Sequence, residues 1–207
     1  MKRKIAGFVL IFLHLVGIAG TLYPETRSLT LSLTPVNLTV SVLALGFFHK
    51  NEKRKLLRFF TVSFLIGFIM EAVGVATGFP FGEYEYLTTL GLKVLQVPLV
   101  IGLNWFMLSF IFGNIFSHAT GRSMLSVLLA ALSMTTLDIL IEPVAIKLDY
   151  WRWSSSSIPL SNFLAWFIIS LLIQLIYKKL NIRNFNPITL YLLVAQILYF
   201  ASVLLFL

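Results

Sequence analysis

Residues 123–144 read SMLSVLLAALSMTTLDILIEPV, an apolar run long enough to cross a bilayer that nonetheless carries two carboxyls, Asp138 and Glu142. A membrane-spanning helix needs roughly 20 predominantly apolar residues. The i, i+4 spacing of the two acids puts them on one helix face. A second run, FFTVSFLIGFIMEAVGVAT at 59–77, carries Glu71 in the same way. An ionisable side chain in hydrocarbon costs on the order of 3 kcal/mol or more, and is normally retained for a function. Only eight Asp and Glu exist in the whole chain of 207 residues, so three of them inside apolar runs set the direction of the reading.

The rest of the chain supports a bilayer destination. It is 58% hydrophobic and 12% charged, about half the charge content of an ordinary soluble domain. Its mean hydropathy is +0.93. There is no cysteine, which removes disulfides, thiolate metal sites and cysteine nucleophiles. The net charge of +8 does not point to nucleic acid, because the basic residues flank apolar runs and form no stripe with interleaved aromatics.

Seven runs reach spanning length: 5–23, 29–48, 59–77, 94–116, 123–144, 158–177 and 187–207. The second is the weakest, since Pro35 and Asn37 interrupt its first turns. The first follows Lys2, Arg3 and Lys4 like a secretory signal, but it is long for one and no A-x-A cleavage pattern follows, so a retained helix is expected. The predicted fold is therefore an all-α, polytopic transmembrane helix bundle of about seven spans in a single domain, 1–207, without internal repeats or linkers. Loop charge predicts its orientation. Twelve basic residues fall at the N-terminus and in the loops after the second, fourth and sixth spans, against Arg27, Lys93, Lys147 and Arg152 on the other side. By the positive-inside rule the N-terminus is cytoplasmic and the C-terminus external, in a multi-pass cell (inner) membrane protein.

The acids fall the opposite way, with Glu52 alone on the cytoplasmic side. Glu71 lies twelve residues beyond Phe59, roughly 18 Å along a helix, just past the midplane. Two outer loops collect polar and aromatic groups. One runs from Gly78-Phe-Pro-Phe-Gly-Glu-Tyr84-Glu-Tyr86 to Gly91-Leu-Lys93, Pro98, Asn104 and Trp105. The other holds Asp149-Tyr150-Trp151-Arg152-Trp153, Ile158-Pro159-Leu160-Ser161-Asn162 and Trp166. An aromatic belt at headgroup depth accounts for such residues singly, and a helix-to-helix polar network accounts for buried acids. Neither accounts for acids from two spans and both aromatic loops lying on one side of the membrane.

Several chemistries lack their residues. His14, His49 and His118 are the only histidines and none pairs at i, i+4, so histidine boxes for a di-iron centre do not exist. His14 reads as a helix-contact residue. No D-D-x-x-D pattern, P-loop or G-x-G-x-x-G turn occurs, which argues against a diphosphate-dependent prenyltransferase and against nucleotide chemistry. The sequon-like Asn37-Leu-Thr39 is common by chance and is assigned nothing.

The motifs together resemble the integral-membrane carotenoid biosynthesis proteins that include the γ-carotene and bisanhydrobacterioruberin hydratases. The resemblance rests on Glu71-Ala-Val-Gly74, Gly78-x-Pro-Phe-Gly-x-Tyr-x-Tyr86, Gly91-x-Lys93, Val97-Pro98 and Asn104-Trp105. It continues through Asp138-x-x-x-Glu142-Pro143, Trp151-x-Trp153 and Ile158-Pro159-Leu160-x-Asn162-Phe163, and covers about residues 60–167. Ser154–Ser157 departs from it, standing where the family pattern would have a turn with glycine and an aromatic residue.

The resemblance implies cofactor-free addition of water to the terminal double bond of an acyclic carotenoid ψ-end, giving a tertiary alcohol. The residues suit that chemistry. Protonating an alkene carbon needs a carboxyl that keeps its proton, as a low dielectric favours. A second carboxylate can orient or deprotonate water, and aromatic faces stabilise a cation by roughly 0.5–2 kcal/mol each. Asp138 is the expected proton donor, with Glu142 or Glu71 positioning water. Tyr84, Tyr86, Trp105, Trp151, Trp153 and Trp166 are expected substrate-binding residues, and Asn104 and Asn162 are expected to orient the carboxyls. No metal is expected, and the expected partners are a lipid-soluble carotenoid, water, membrane lipid and other enzymes of the pathway. Two readings of another class compete: a small proton-coupled transporter, which needs a polar route across both leaflets, and a non-catalytic carotenoid-binding subunit. Within the enzyme class, alkene isomerisation would share the protonation step but end by losing a proton.

Overall fold

The computed structural model describes residues 1–207, and helices dominate it. Long helices are α1 (Lys2–Leu22), α4 (Lys53–Thr77), α5 (Leu99–Ala119), α6 (Met124–Lys147), α7 (Leu160–Leu180) and α8 (Ile188–Phe206). All six are long and apolar enough to cross a membrane. A shorter pair, α2 (Pro24–Ser32) and α3 (Thr34–Phe48), bends by 51° at Leu33 and makes a seventh span if counted together. Alone, the 15 residues of α3 rise only about 22 Å, less than the ~30 Å hydrocarbon core. The expected second span, 29–48, is thus broken at Leu33, two residues before Pro35, which has no N–H to continue the α2 ladder onto Leu31 O.

Helix α5 is the axis of the bundle. It packs against α3, α4, α6, α7 and α8, and two thirds of its spanning window is buried. Residues such as Phe8, Phe47, Leu65, Ile69, Ile168 and Phe206 project outward, as lipid-facing side chains must. Local signals set the helix ends. Ser123 caps α6 by accepting the Ser126 N–H at 3.2 Å, and Gly78 ends α4 in the left-handed conformation with its N–H on Gly74 O.

Two features differ from the sequence expectation. The fourth span starts at Leu99 instead of residue 94, because Lys93–Val94 (β2) and Val97–Pro98 (β3) form a hairpin across Leu95 and Gln96, both with positive φ. The two aromatic loops also pair: Tyr84–Tyr86 (β1) runs antiparallel to Trp151–Trp153 (β4). Register sets Tyr84 opposite Trp153, Glu85 opposite Arg152 and Tyr86 opposite Trp151. Side chains alternate across a strand, so four aromatic residues face the bundle while Glu85 and Arg152 face out. The Ser154–Ser157 tract is an exposed bend, tied back by the Ser154 N–H to Glu83 O.

Candidate functional site

Glu71 and Glu142 lie at the same end of the bundle, each beneath the β1–β4 ribbon, and each has three donors spread over both of its oxygens. Glu71 sits on the buried face of α4 with Gly67 one turn before it and Gly74 one turn after. A β-carbon at Gly67 would overlap the Trp105 ring, and one at Gly74 would crowd Phe81 and the Tyr84 hydroxyl. These two hydrogens in place of side chains let the aromatics close over the acid. Tyr84 and Tyr86 hydroxyls donate to Glu71 Oε2 at 2.5 and 2.8 Å, and Trp105 Nε1 donates to Oε1 at 3.0 Å. Burial, and then the adjoining Glu71 carboxylate, push both phenols above their ordinary range, so they remain donors. Trp105 in turn stacks on Trp166, with ring centroids 4.0 Å apart.

Glu142 is held similarly. Trp151 and Trp153 donate their indole N–H groups to Oε2 at 3.0 and 2.9 Å, and Asn162 Nδ2 donates to Oε1 at 3.1 Å. The same Asn162 nitrogen lies 3.2 Å from Asp138 Oδ2. Asp138 is fully buried, and its Oδ1 has no hydrogen-bond partner. Of the six carboxyl oxygens in the cluster, this is the one left without a donor. Pro143 follows Glu142 and cannot donate the helical bond to the residue four back, which loosens α6 beside the two acids.

All three carboxyls line one small cavity of about 30 Å³, the share of one water in the liquid. Its walls include Tyr84, Tyr86, Asn104, Trp151, Trp153, Asn162 and Trp166, together with Phe81, Ile101 and Ile141. Trp105 stands one layer behind, touching the site through Glu71 and Trp166. Asn104 makes no hydrogen bond to any carboxyl. It lies instead at the junction with a second, far larger cavity of about 810 Å³. Ile101, Asn104, Ile141 and Trp151 line both spaces. The large chamber is mostly apolar and is walled by α1, the bent α2–α3 pair, α5 and α8. No group of three or more His, Asp or Glu side chains has metal-binding geometry.

The arrangement is thus a half-open apolar chamber, roomy enough for a long lipid chain, sharing four wall residues with a small pocket of three acids. The family model described as carotenoid biosynthesis protein matches residues 32–206. The chain belongs to that family. Comparisons with curated proteins and with solved structures gave no match. The family match reaches well beyond 60–167, taking in α3 and α8, so two walls of the chamber lie inside it along with the carboxyls. This carotenoid biosynthesis protein is a helical bundle with six or seven helices able to cross a membrane and a half-open, mostly apolar chamber on one side.

The chamber is what a reading of the sequence misses. Its polar lining, including His14, Asn37, Tyr150, Gln196 and Tyr199, comes mainly from the first, second and last spans. Phe81, Ile101 and Ile141 of the small cavity are ordinary apolar residues with no local mark. The available signals were the Pro35–Asn37 interruption and three polar side chains, His14, Asn37 and Gln196, in otherwise apolar runs.

Proposed function

We infer that this protein adds water to the terminal trisubstituted double bond of an acyclic ψ-end carotenoid, making a tertiary alcohol without a cofactor. The single observation that carries the reading is Asp138: a fully buried carboxyl with one oxygen free of protein donors, lining a small cavity that shares four wall residues with an apolar chamber. The polyene lies in the chamber with its end at Asn104 and Trp151, and the side chains between the two spaces must move to widen the small cavity before that end and a water meet the acids together.

Asp138 carries the proton on its unpartnered oxygen. Its O–H bond breaks as a C–H bond forms at the less substituted alkene carbon, leaving a tertiary cation at the neighbouring carbon. Water in the small cavity bonds to that carbon and gives a proton to Glu142, the acid one turn away on the same face. Return of that proton to Asp138, with Asn162 holding both groups, restores the starting state. The net change is addition of one water. Trp153, Trp166, Tyr84 and Tyr86 offer ring faces to the cation, and Glu71 fixes the two tyrosines and Trp105. In a cell membrane, with the N-terminus cytoplasmic as the loop charges indicate, the acids lie in the outer half and surface water reaches them.

Expression in a host that accumulates lycopene or γ-carotene, followed by mass analysis of the pigments, tests the reading. A product heavier by one water, with its oxygen drawn from isotopically labelled water, is expected. An isomer of unchanged mass would replace hydration by isomerisation, and recovery of unaltered pigment with every ψ-end substrate would favour a carrier or scaffold.

A further inference from the structure

The chamber has a polar site of its own, away from the carboxyls. His14 on α1, Asn37 on α3 and Gln196 on α8 all line it, and none of those helices contributes to the small cavity. His14 is buried, and its Nδ1 lies 2.8 Å from Leu10 O, one turn back in its own helix. A carbonyl oxygen only accepts, so Nδ1 carries the hydrogen and Nε2 presents a lone pair. Two amide nitrogens approach that lone pair, Asn37 Nδ2 and Gln196 Nε2, each at 3.4 Å. Both contacts are at the long limit of hydrogen bonding. Three helices therefore converge one acceptor and two amides on a single spot, with no short bond among them.

We propose that His14, Asn37 and Gln196 form a hydroxyl-recognition site for the isoprenoid held in the chamber. A hydroxyl donates to His14 Nε2 and accepts from an amide N–H, replacing two long contacts by two of normal length. A ketone or ether accepts but cannot donate, leaving the imidazole lone pair without a better partner, and a hydrocarbon does neither. Because the site is separate from the carboxyl cavity, the hydroxyl it takes is one the isoprenoid already carries, not the one formed at the reacting alkene. The proposal rests on the reading that an isoprenoid occupies the chamber, and not on which reaction the acids perform.

The test uses the full chain in lipid nanodiscs and three probes with the same twenty-carbon prenyl chain: the alcohol, its methyl ether and the hydrocarbon. Binding is read by quenching of tryptophan emission, since Trp151 lines the chamber. One or two added hydrogen bonds give the alcohol an advantage of about 5- to 20-fold over both other probes. In Gln196→Leu, and in His14→Phe where that variant folds, the ratio of alcohol to hydrocarbon affinity falls toward one. Equal binding of all three probes to the wild type, an ether as tight as the alcohol, or a preference unmoved in Gln196→Leu would each overturn the site. A hydroxyl preference alongside pigments that gain no water would remove hydration and leave the site standing. Hydration without any hydroxyl preference would do the reverse.

Discussion

Both ends of the bundle are organised around acids, and the two are finished differently. At the basic end, Glu52 sits just before α4 and receives Lys55 Nζ at 2.6 Å on Oε1, with the backbone N–H groups of Arg183 and Asn184 and the Asn184 amide on Oε2. Asn114 extends this latch, donating to Tyr177 and Asn184 O and accepting from the Asn186 N–H, while Asn186 reaches Leu45 O. Burial alone would push the Glu52 carboxyl up, but the hydrogen bonds from Lys55, Arg183 and Asn184 outweigh it and hold it at about 2. Both Glu52 oxygens and the Asn114 oxygen are filled there and help join the α3–α4 and α7–α8 connections, although the ring nitrogens of the neighbouring buried His49 have no partner. At the other end both oxygens of Glu71 and of Glu142 have donors, yet Asp138 keeps an oxygen with no protein donor. A completed polar cluster fixes a fold; one unfilled position inside a completed cluster is where a substrate can be acted on.

The largest effect should come from the unfilled position. Asp138→Asn removes the proposed proton donor while keeping the shape, and the proposed water addition is expected to fall by roughly two to four orders of magnitude, the range for a general acid. Pigment mass analysis on protein confirmed as folded and inserted would show it, and wild-type turnover would erase the proposed distinction between the ends. Glu71→Gln comes next. A glutamine cannot accept on both sides, so its amide N–H₂ confronts Trp105 or the tyrosine hydroxyls, leaving buried donors unmatched at about 1–3 kcal/mol. Thermal unfolding should drop, and tryptophan emission should shift as Trp105 loses its partner.

Gly67→Val tests how the cluster closes. The added methyls overlap Trp105, and overpacking of this kind costs about 1–3 kcal/mol; near-ultraviolet circular dichroism should report the disturbed Trp105–Trp166 stack. Glu52→Gln should leave pigment conversion within about twofold but change the pH dependence of stability. Because the folded-state value lies below the ordinary 4.5, the latch contributes fully above about pH 4.5 and is lost as pH falls toward 2. The variant should lose this acid limb, as followed by unfolding between pH 5 and 2. Arg152→Ala is the smallest change. Its side chain faces outward opposite Glu85, and a shift beyond about 0.5 kcal/mol in stability would mean that the ribbon depends on its outer face.

Much of the outline was legible because membrane partition acts on each run separately. Six of the seven expected spans appear as continuous helices, and the one marked by Pro35 is the one that bends. Asp138 and Glu142 share a face, as their spacing required, and Asn162 does reach both. Asn104, paired in the sequence reading with Asn162 as a carboxyl holder, sits instead at the junction of two cavities, because its direction depends on how α5 is rotated in the bundle. The alternation Tyr-Glu-Tyr and Trp-Arg-Trp hinted at strands, but three residues are too few to form a strand without the partner loop.

Sequence by itself determined the bilayer, the number of runs that can cross it, the side on which the charges lie, and the three acids that a membrane would otherwise exclude. Those follow from transfer free energies, which are properties of short stretches of chain. Tertiary structure alone decided that residues 84–86 pair with 151–153, so that four aromatic side chains serve two carboxyls and leave Asp138 one oxygen without a donor. It also decided that α1, α3 and α8 border a half-open chamber beside the acids. Such outcomes depend on the relative rotation and crossing of helices far apart in sequence, which no local pattern specifies.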